Sequence, residues 1–468
     1  MSQDLRSFLA QVQAATPEEF LAVREEVDPR YVATSLVAEL ERQRRYPILL
    51  FEKVRGAAFP VVTNVMGARA RFALPMGVPV HAVSQEYARR VKHEVAPRLV
   101  DAGPVHDNVL SGDAVDVGQL PILSHFPIDA APYITAGLVF CRDPHNPAVD
   151  TFGFHRIQYK GLPNRLGISL HSRRRVWEYQ RRAEELGRPL EVAVVLGTHP
   201  LLALASLSLV GPDRGKLETA GALLDEPVDV VPARTVDVLV PADAEMVIEG
   251  EILPGDREDE GPFGEFTGYT AFRSTKHVLR VKAITYRNGA LYQSVTGGYT
   301  PEHIAGLGIQ REGDVYNALR QSIPTIKAVH IPTSGCSIFH AYISLKKTAE
   351  GQPLQAITHA LGMDHGLKLV IVVDEDVDVY NEPDVLWAMS TRLQAGRGVH
   401  VLRGGMGVIL DPSATEGGVS DKLGIDATKP LTGFGERLSL PDDTLAYARD
   451  LIDRLVPAAI PAPEAALR

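Results

Sequence analysis

Two carboxylates, Glu260 and Glu265, stand five positions apart in the string Glu258-Asp-Glu-Gly-Pro-Phe-Gly-Glu-Phe-Thr-Gly-Tyr269. Gly261, Pro262, Gly264 and Gly268 forbid a helix, so the string is a tight loop that holds both acids in one small volume. Carboxylates held close raise each other's pKa, and one that stays protonated near neutral pH can deliver a proton. The competing reading is a solvated acidic turn. The aromatics Phe263, Phe266 and Tyr269 speak against it, because a merely solvated turn seldom carries three of them. A second string, Thr151-Phe-Gly153-Phe-His-Arg156, alternates like a strand and ends in a guanidinium suited to a substrate carboxylate or to Glu260; a surface ion pair is the plain alternative. His171-Ser-Arg173-Arg174-Arg175 gathers basic groups just before a helix, a setting for a phosphate or for an ordinary solvated basic face.

Other chemistries are excluded or unsupported. Gly211-Pro-Asp-Arg-Gly215-Lys216-Leu217 has one residue too few between its glycines for a phosphate loop, and lacks the Ser or Thr after its lysine. There is no His-Glu-x-x-His, no Gly-x-Ser-x-Gly and no Gly-x-Gly-x-x-Gly after a strand. The 15 histidines are scattered. Asp374-Glu-Asp376 could take a divalent cation or cap the next helix. Cys141 and Cys336, far apart, make neither a disulfide framework nor a cysteine zinc site.

Three segments must position these groups in a chain of 468 residues. Residues 1–105 read as an α/β module. Within it, Thr16-Pro-Glu-Glu19 is a capping box opening a helix, Tyr46 to Val54 and Phe59 to Val65 form a hairpin, and Ala82 to Val95 has helical spacing. Residues 106–310 are strand-rich, a barrel-like or α+β domain. Val278 to Tyr286 alternates, Asn288-Gly289 turns a hairpin onto Ala290-Leu-Tyr292, Arg173 to Leu186 is helical, and Glu191 to Gly197 is a strand. Residues 311–455 alternate strand and helix. Leu367 to Val373 is a buried parallel strand, Pro383 to Leu393 a helix, Asp442 to Val456 an amphipathic helix, and 456–468 an Ala/Pro-rich tail. With 48 basic and 58 acidic residues the net charge is −10, which removes a global nucleic-acid footprint. No apolar run reaches the roughly 18 residues of a membrane span and no signal peptide is evident, so a cytoplasmic protein is expected.

Taken in order, these strings resemble the UbiD family of prenylated-flavin-dependent, reversible decarboxylases. The resemblance runs from Val240-Pro-Ala-Asp-Ala-Glu-Met-Val-Ile-Glu-Gly250 and Glu260-Gly-Pro-Phe-Gly-Glu265 through Thr296-Gly-Gly-Tyr-Thr-Pro-Glu302 and Pro332-Thr-Ser-Gly-Cys-Ser337 to Asp421-Lys-Leu-Gly-Ile-Asp-Ala-Thr428. It implies a split-barrel flavin-binding middle domain between an α/β N-terminal segment and an α/β C-terminal segment that assembles a homodimer or homohexamer. It implies prenylated FMN, furnished by a flavin prenyltransferase, and a small aromatic or α,β-unsaturated carboxylic acid as substrate. Arg156 falls at the family arginine that holds the substrate carboxylate, Glu260 at the glutamate paired with it, and Glu265 at the acid that protonates the product carbon. Thr151, Gly153, Arg156, His171, Arg173, Ser206, Ser208, Lys216 and Lys422 fall along the cofactor site, and the family also uses Mn2+ and K+ beside the flavin phosphate. Here the chain departs from the pattern. The Asn-His-Glu metal set reads Thr151-His171-Lys216, so either Glu218, two residues on, serves with His171, or Lys216 meets the phosphate directly. Phe266, His340 and Phe434 are candidates for the substrate pocket. A non-catalytic or partner-dependent subunit of a multi-subunit carboxylase, and a metal-dependent hydrolase built on Glu260 and Glu265, are the other readings.

Overall fold

The computed structural model describes residues 4–455 apart from Arg173, Arg273 and Glu416; the tail at 456–468 lies outside the described residues. The N-terminal four-stranded sheet runs Phe20–Val27, Ile48–Val54, Val61–Thr63, Tyr292–Gln293. Its central pair is the expected hairpin, Leu49 opposite Thr63 and Phe51 opposite Val61. The helix expected at Thr16 is only a single 3-10 turn, Pro17–Glu19, without a side-chain cap bond from Thr16. Phe20 onward is drawn instead into parallel pairing with Ile48–Val54, and that pairing overrides the local cap signal. The preceding helix, Leu5–Ala15, is continuous, with a capping box between Asp4 and Ser7.

The middle of the chain forms a nine-stranded antiparallel sheet among the described residues, curled as a half-barrel. Its spine is the 15-residue strand Met246–Glu260 against Ser274–Tyr286, with register breaks at Glu249/Gly250 and Ile252/Arg257. Such breaks bend a strand and increase its twist. Leu190–Leu196 lies beside this spine and is covered on both faces, which is why it reads as a nearly unbroken apolar run. The helix Pro200–Leu207, with Leu201, Leu204 and Ala205 buried, closes one side of the core. The hairpin expected at Asn288-Gly289 does not form. Gly289 turns with φ +61°, but Tyr292–Gln293 then pairs in parallel with Val61–Thr63, stitching the middle of the chain to the N-terminal sheet. Arg6 reinforces that crossing, donating to the carbonyls of Asn288 (3.1 Å) and Gly289 (2.9 Å) and to Glu245.

The 22-residue helix Pro301–Ser322 leads into a five-stranded sheet in which His340–Leu345, Leu369–Asp374 and Val419–Asp426 run parallel. Leu369–Asp374 and the helix Glu382–Arg392 are the expected strand–helix unit. The amphipathic helix Asp442–Leu455 is present but has no buried residue. No helix among the described residues is long and apolar enough to cross a membrane.

Candidate active site

Arg156 opens the strand Arg156–Tyr159, and Glu260 closes the strand Met246–Glu260. Two strands, Arg165–Ser169 and Ser274–Tyr286, lie between them in the sheet. At about 4.8 Å per strand a flat sheet would put their backbones roughly 14 Å apart. The curl of the sheet and the reach of the arginine close that gap. Arg156 Nη2 donates to Glu260 Oε2 at 2.7 Å, and Nη1 to Glu265 Oε1 at 2.5 Å. Past Glu260 the chain reverses through Gly261, whose φ of +89° suits only glycine, and a cis Gly261–Pro262 peptide. Phe263–Gly264 pairs with Thr270–Ala271, and Glu265 N donates to Tyr269 O at 2.9 Å, which holds Glu265 opposite the guanidinium.

The side chain of Glu260 is wholly buried and those of Arg156 and Glu265 nearly so, at 13% and 10% exposure. Burial disfavours the Arg156 cation, but Glu260 and Glu265 outweigh it and raise its pKa above the usual range. Arg156 lies 5.6 Å over the Phe263 ring, which tilts against Tyr133 at 4.6 Å. Arg156 Nε and Glu260 Oε1 are buried without hydrogen-bond partners among the described residues. A buried donor and acceptor left open beside a three-membered ion cluster mark a place for a polar ligand.

Sequence reasoning missed His125 and His303. His303 stands edge-on to Phe266 at 6.3 Å, with Nδ1 3.0 Å from the Gly298 carbonyl; that acceptor fixes the ring proton on Nδ1. Burial lowers its pKa, against the pull of Glu265. His125 is pushed down to about 4 by burial and by His303; its Nδ1 meets Thr34 Oγ1 at 2.9 Å, and its Nε2 is buried without a partner. Neither stands in a motif, so no spacing in the chain singles them out among the 15 histidines.

A second polar group gathers around the strand Asp150–Phe154. Lys216 opens the helix Lys216–Leu224, whose first two amides, of Lys216 and Leu217, are taken by Asp150 Oδ1 at 2.9 and 3.0 Å. Its ammonium is buried and donates to the carbonyls of Phe152, at 3.0 Å, and Ser206. Burial drives its pKa down to about 7, and Arg174 and Arg175 push the same way. Arg175 donates to the carbonyls of Arg214 (2.7 Å) and Val210 (2.8 Å). Burial also holds His155 neutral, at about 3. Thr151, opposite Cys141, keeps a buried Oγ1 with no partner among the described residues. Gly153 lies on the same strand, its missing Cβ 3.8 Å from His155 Nε2.

His171 and Glu218 are the expected metal ligands. His171 Nδ1 lies 2.6 Å from the Ser172 carbonyl, and Glu218 is half-buried. Among the described residues no three His, Cys, Asp or Glu side chains converge to hold an ion. Lys216 stands where the resemblance places a carboxylate. Ser206 Oγ is spent on the Ala203 carbonyl (2.6 Å), and Ser208 Oγ receives the Tyr87 hydroxyl (2.9 Å). Lys422 Nζ donates to the carbonyls of His365 (2.9 Å) and Leu367 (2.5 Å). Arg173 lies outside the described residues. Asp374 and Asp376 are no cation site either; Arg392 and Lys429 neutralise them at 2.7 to 3.1 Å. Of the pocket candidates, Phe266 packs with Ile304 and Ile338, His340 starts its strand half-buried, and Phe434 is exposed.

Comparison with known proteins agrees with this architecture. Residues 14–91, 98–300 and 307–427 match the N-terminal, Rift-related and C-terminal domains of 3-octaprenyl-4-hydroxybenzoate carboxy-lyase. The chain belongs to the UbiD family, and by class it is a UbiD-like decarboxylase. It is 32% identical over 428 residues to anhydromevalonate phosphate decarboxylase of Methanothermobacter thermautotrophicus, covering 91% of this chain and 97% of that one. Phenolic acid decarboxylase of Bacillus subtilis is 31% identical over 473 residues, 96% and 98% of the two chains. Among solved structures, the UbiD-class enzyme HmfF from Pelotomaculum thermopropionicum in complex with FMN superposes with TM-score 0.89 at 40% identity, covering 95% and 99%. An evolved dimeric form of HmfF in complex with prFMN superposes at 0.85, with 39% identity, 95% and 98% coverage.

Proposed function

We propose that this protein catalyses the reversible, non-oxidative decarboxylation of an aromatic or α,β-unsaturated carboxylic acid with prenylated FMN. The observation that carries the reading is the buried Arg156 bridging Glu260 and Glu265, with Arg156 Nε and Glu260 Oε1 left open. The open donor Arg156 Nε, with the basic group around Lys216, fits an anionic substrate and an anionic cofactor, while Glu260 Oε1 can accept from a donor group of either. Prenylated FMN, when bound, supplies an electron-accepting centre beside the carbon that carries the carboxylate. Arg156 receives the substrate carboxylate and orients it, and Glu260 balances the guanidinium once carbon dioxide has gone. The electron pair of the broken bond returns to the carbon as Glu265 delivers its proton there; in the carboxylation direction Glu265 removes it. Phe263, Phe266 and Tyr133 keep water from this centre, which strengthens each electrostatic contact inside it.

In this reading residues 106–310 form the flavin-binding domain, between the N-terminal segment 1–105 and the assembly segment 311–455. A flavin prenyltransferase furnishes the cofactor, and the chain works as a homodimer or homohexamer. Protein made together with a prenyltransferase is expected to show the absorbance of a modified flavin. Glu265→Gln should keep that absorbance yet abolish solvent deuterium exchange into the product; full turnover by this variant would sink the assigned role.

A further inference from the structure

Three basic side chains gather beside the strand Asp150–Phe154 without a direct ion-pair partner, although Asp150 acts on Lys216 and Asp314 and Asp364 act on Arg174 from further off. Among the described residues Lys216, Arg174 and Arg175 form no ion pair with a carboxylate, although the chain carries ten more acids than Lys and Arg (58 against 48). The carboxylate of Asp150 is taken up by the helix amides of Lys216 and Leu217. Lys216 spends two of its three N–H bonds on the carbonyls of Phe152 and Ser206, and the third has no acceptor among the described residues. Close by on the chain, Thr151 Oγ1 is buried and open. Arg174 and Arg175 are near enough for their charges to act on Lys216.

Such a group suits an oxyanion and opposes a metal. A divalent ion would bring two more positive charges into a group already rich in basic side chains, and the two positions that should supply it with an amide oxygen and a carboxylate carry Thr151 and Lys216. A phosphate dianion supplies negative charge and accepts from both the ammonium and the hydroxyl. We propose that this chain holds the phosphate of its flavin directly, through Lys216, Arg174, Arg175 and the Thr151 hydroxyl, with no divalent cation between protein and phosphate. The inference rests on the flavin reading above and adds to it that the metal is dispensable.

The test uses the full chain, exhaustively chelated and then titrated with FMN, with riboflavin as the phosphate-free probe. FMN affinity is expected to be the same with EDTA as with added Mn2+, and the FMN-loaded protein to carry far less than one metal per chain. Lys216→Met should weaken FMN by roughly tenfold or more, the worth of one charge-assisted hydrogen bond, and leave riboflavin binding unchanged. The double variant Thr151→Asn, Lys216→Glu should make FMN binding depend on Mn2+. If Lys216→Met does not fold, the metal content and chelation arms on the unaltered chain still decide. A stoichiometric divalent metal in the FMN complex, or loss of FMN on chelation, overturns the inference while leaving the proposed decarboxylase standing. A chain that takes up neither FMN nor the prenylated form overturns both.

Discussion

At the scale of single residues, the candidate site depends on atoms that cannot move apart. Glu265 follows Gly264, and a Cβ at Gly264 would come within 2.6 Å of Phe126 Cδ2. Asp129 fixes both sides of that contact, its carboxylate accepting from Gly264 N at 2.8 Å and Phe126 N at 2.9 Å. Gly264→Ala must therefore displace the Phe126 ring or the Glu265 backbone. The expected cost is about 1–3 kcal/mol of stability, as for overpacking elsewhere, together with a loss of turnover out of proportion to it. Thermal denaturation and a steady-state assay read the two effects separately. The residue scale is also where the sequence was most legible. Glu260, Glu265 and Arg156 stand out by type and by the turn between the acids. His125 and His303 do not, because a histidine's neighbours in space leave no mark on its neighbours in sequence.

At the scale of elements, helix ends and strand ends do the positioning. The helix Val32–Arg42 and the start of Pro301–Ser322 bring Glu41 and Glu302 together. Burial and Glu302 push the Glu41 carboxyl up to about 7. Glu302 is pushed up to about 7 by burial, against donation from Thr296 N (2.8 Å), Thr63 Oγ1 (3.0 Å) and Val65 N (2.9 Å). Carboxyls whose folded pKa lies above the unfolded one keep their protons longer in the native state. Their contribution is whole below about 4.5 and is lost as the pH climbs to about 7, so stability falls across that window. Glu41→Gln removes one titration and relieves Glu302, so its melting temperature should decline less between pH 5 and pH 8 than that of the unaltered chain. Equal slopes would show that the Glu41 carboxyl is not raised in the folded chain. Elements were legible where one local signal sufficed, as in the apolar run at Leu369–Asp374. They were misread at Thr16 and Asn288, where a sound turn or cap signal is followed by a strand whose partner lies far away in the chain.

At the scale of the whole molecule, one surface asks for company. The helix Asp442–Leu455 leaves Leu445, Tyr447, Ile452 and Leu455 exposed at 36 to 69%. Leu445, Ile452 and Leu455 share one helix face, and apolar side chains so placed are stabilised when another surface covers them. A second copy of the chain is the expected cover, so deleting residues 442–468 should reduce the assembly measured by light scattering while far-UV circular dichroism keeps its shape. An unchanged mass would place the interface elsewhere.

The amino-acid sequence by itself determined the three-segment order, the strand-rich middle and the residue types of the candidate site, because these depend on local pattern, turn chemistry and net composition. Only the tertiary structure decided that Arg156 and Glu260, 104 positions apart, touch at 2.7 Å. It also decided that His303 lies near Glu265 with His125 beside it, and that Lys216 points its ammonium at backbone carbonyls. The physical reason is the same in each case. Sheet curl and burial set distance, charge balance and open hydrogen-bonding atoms, and those arise only when strands far apart in the chain are brought side by side.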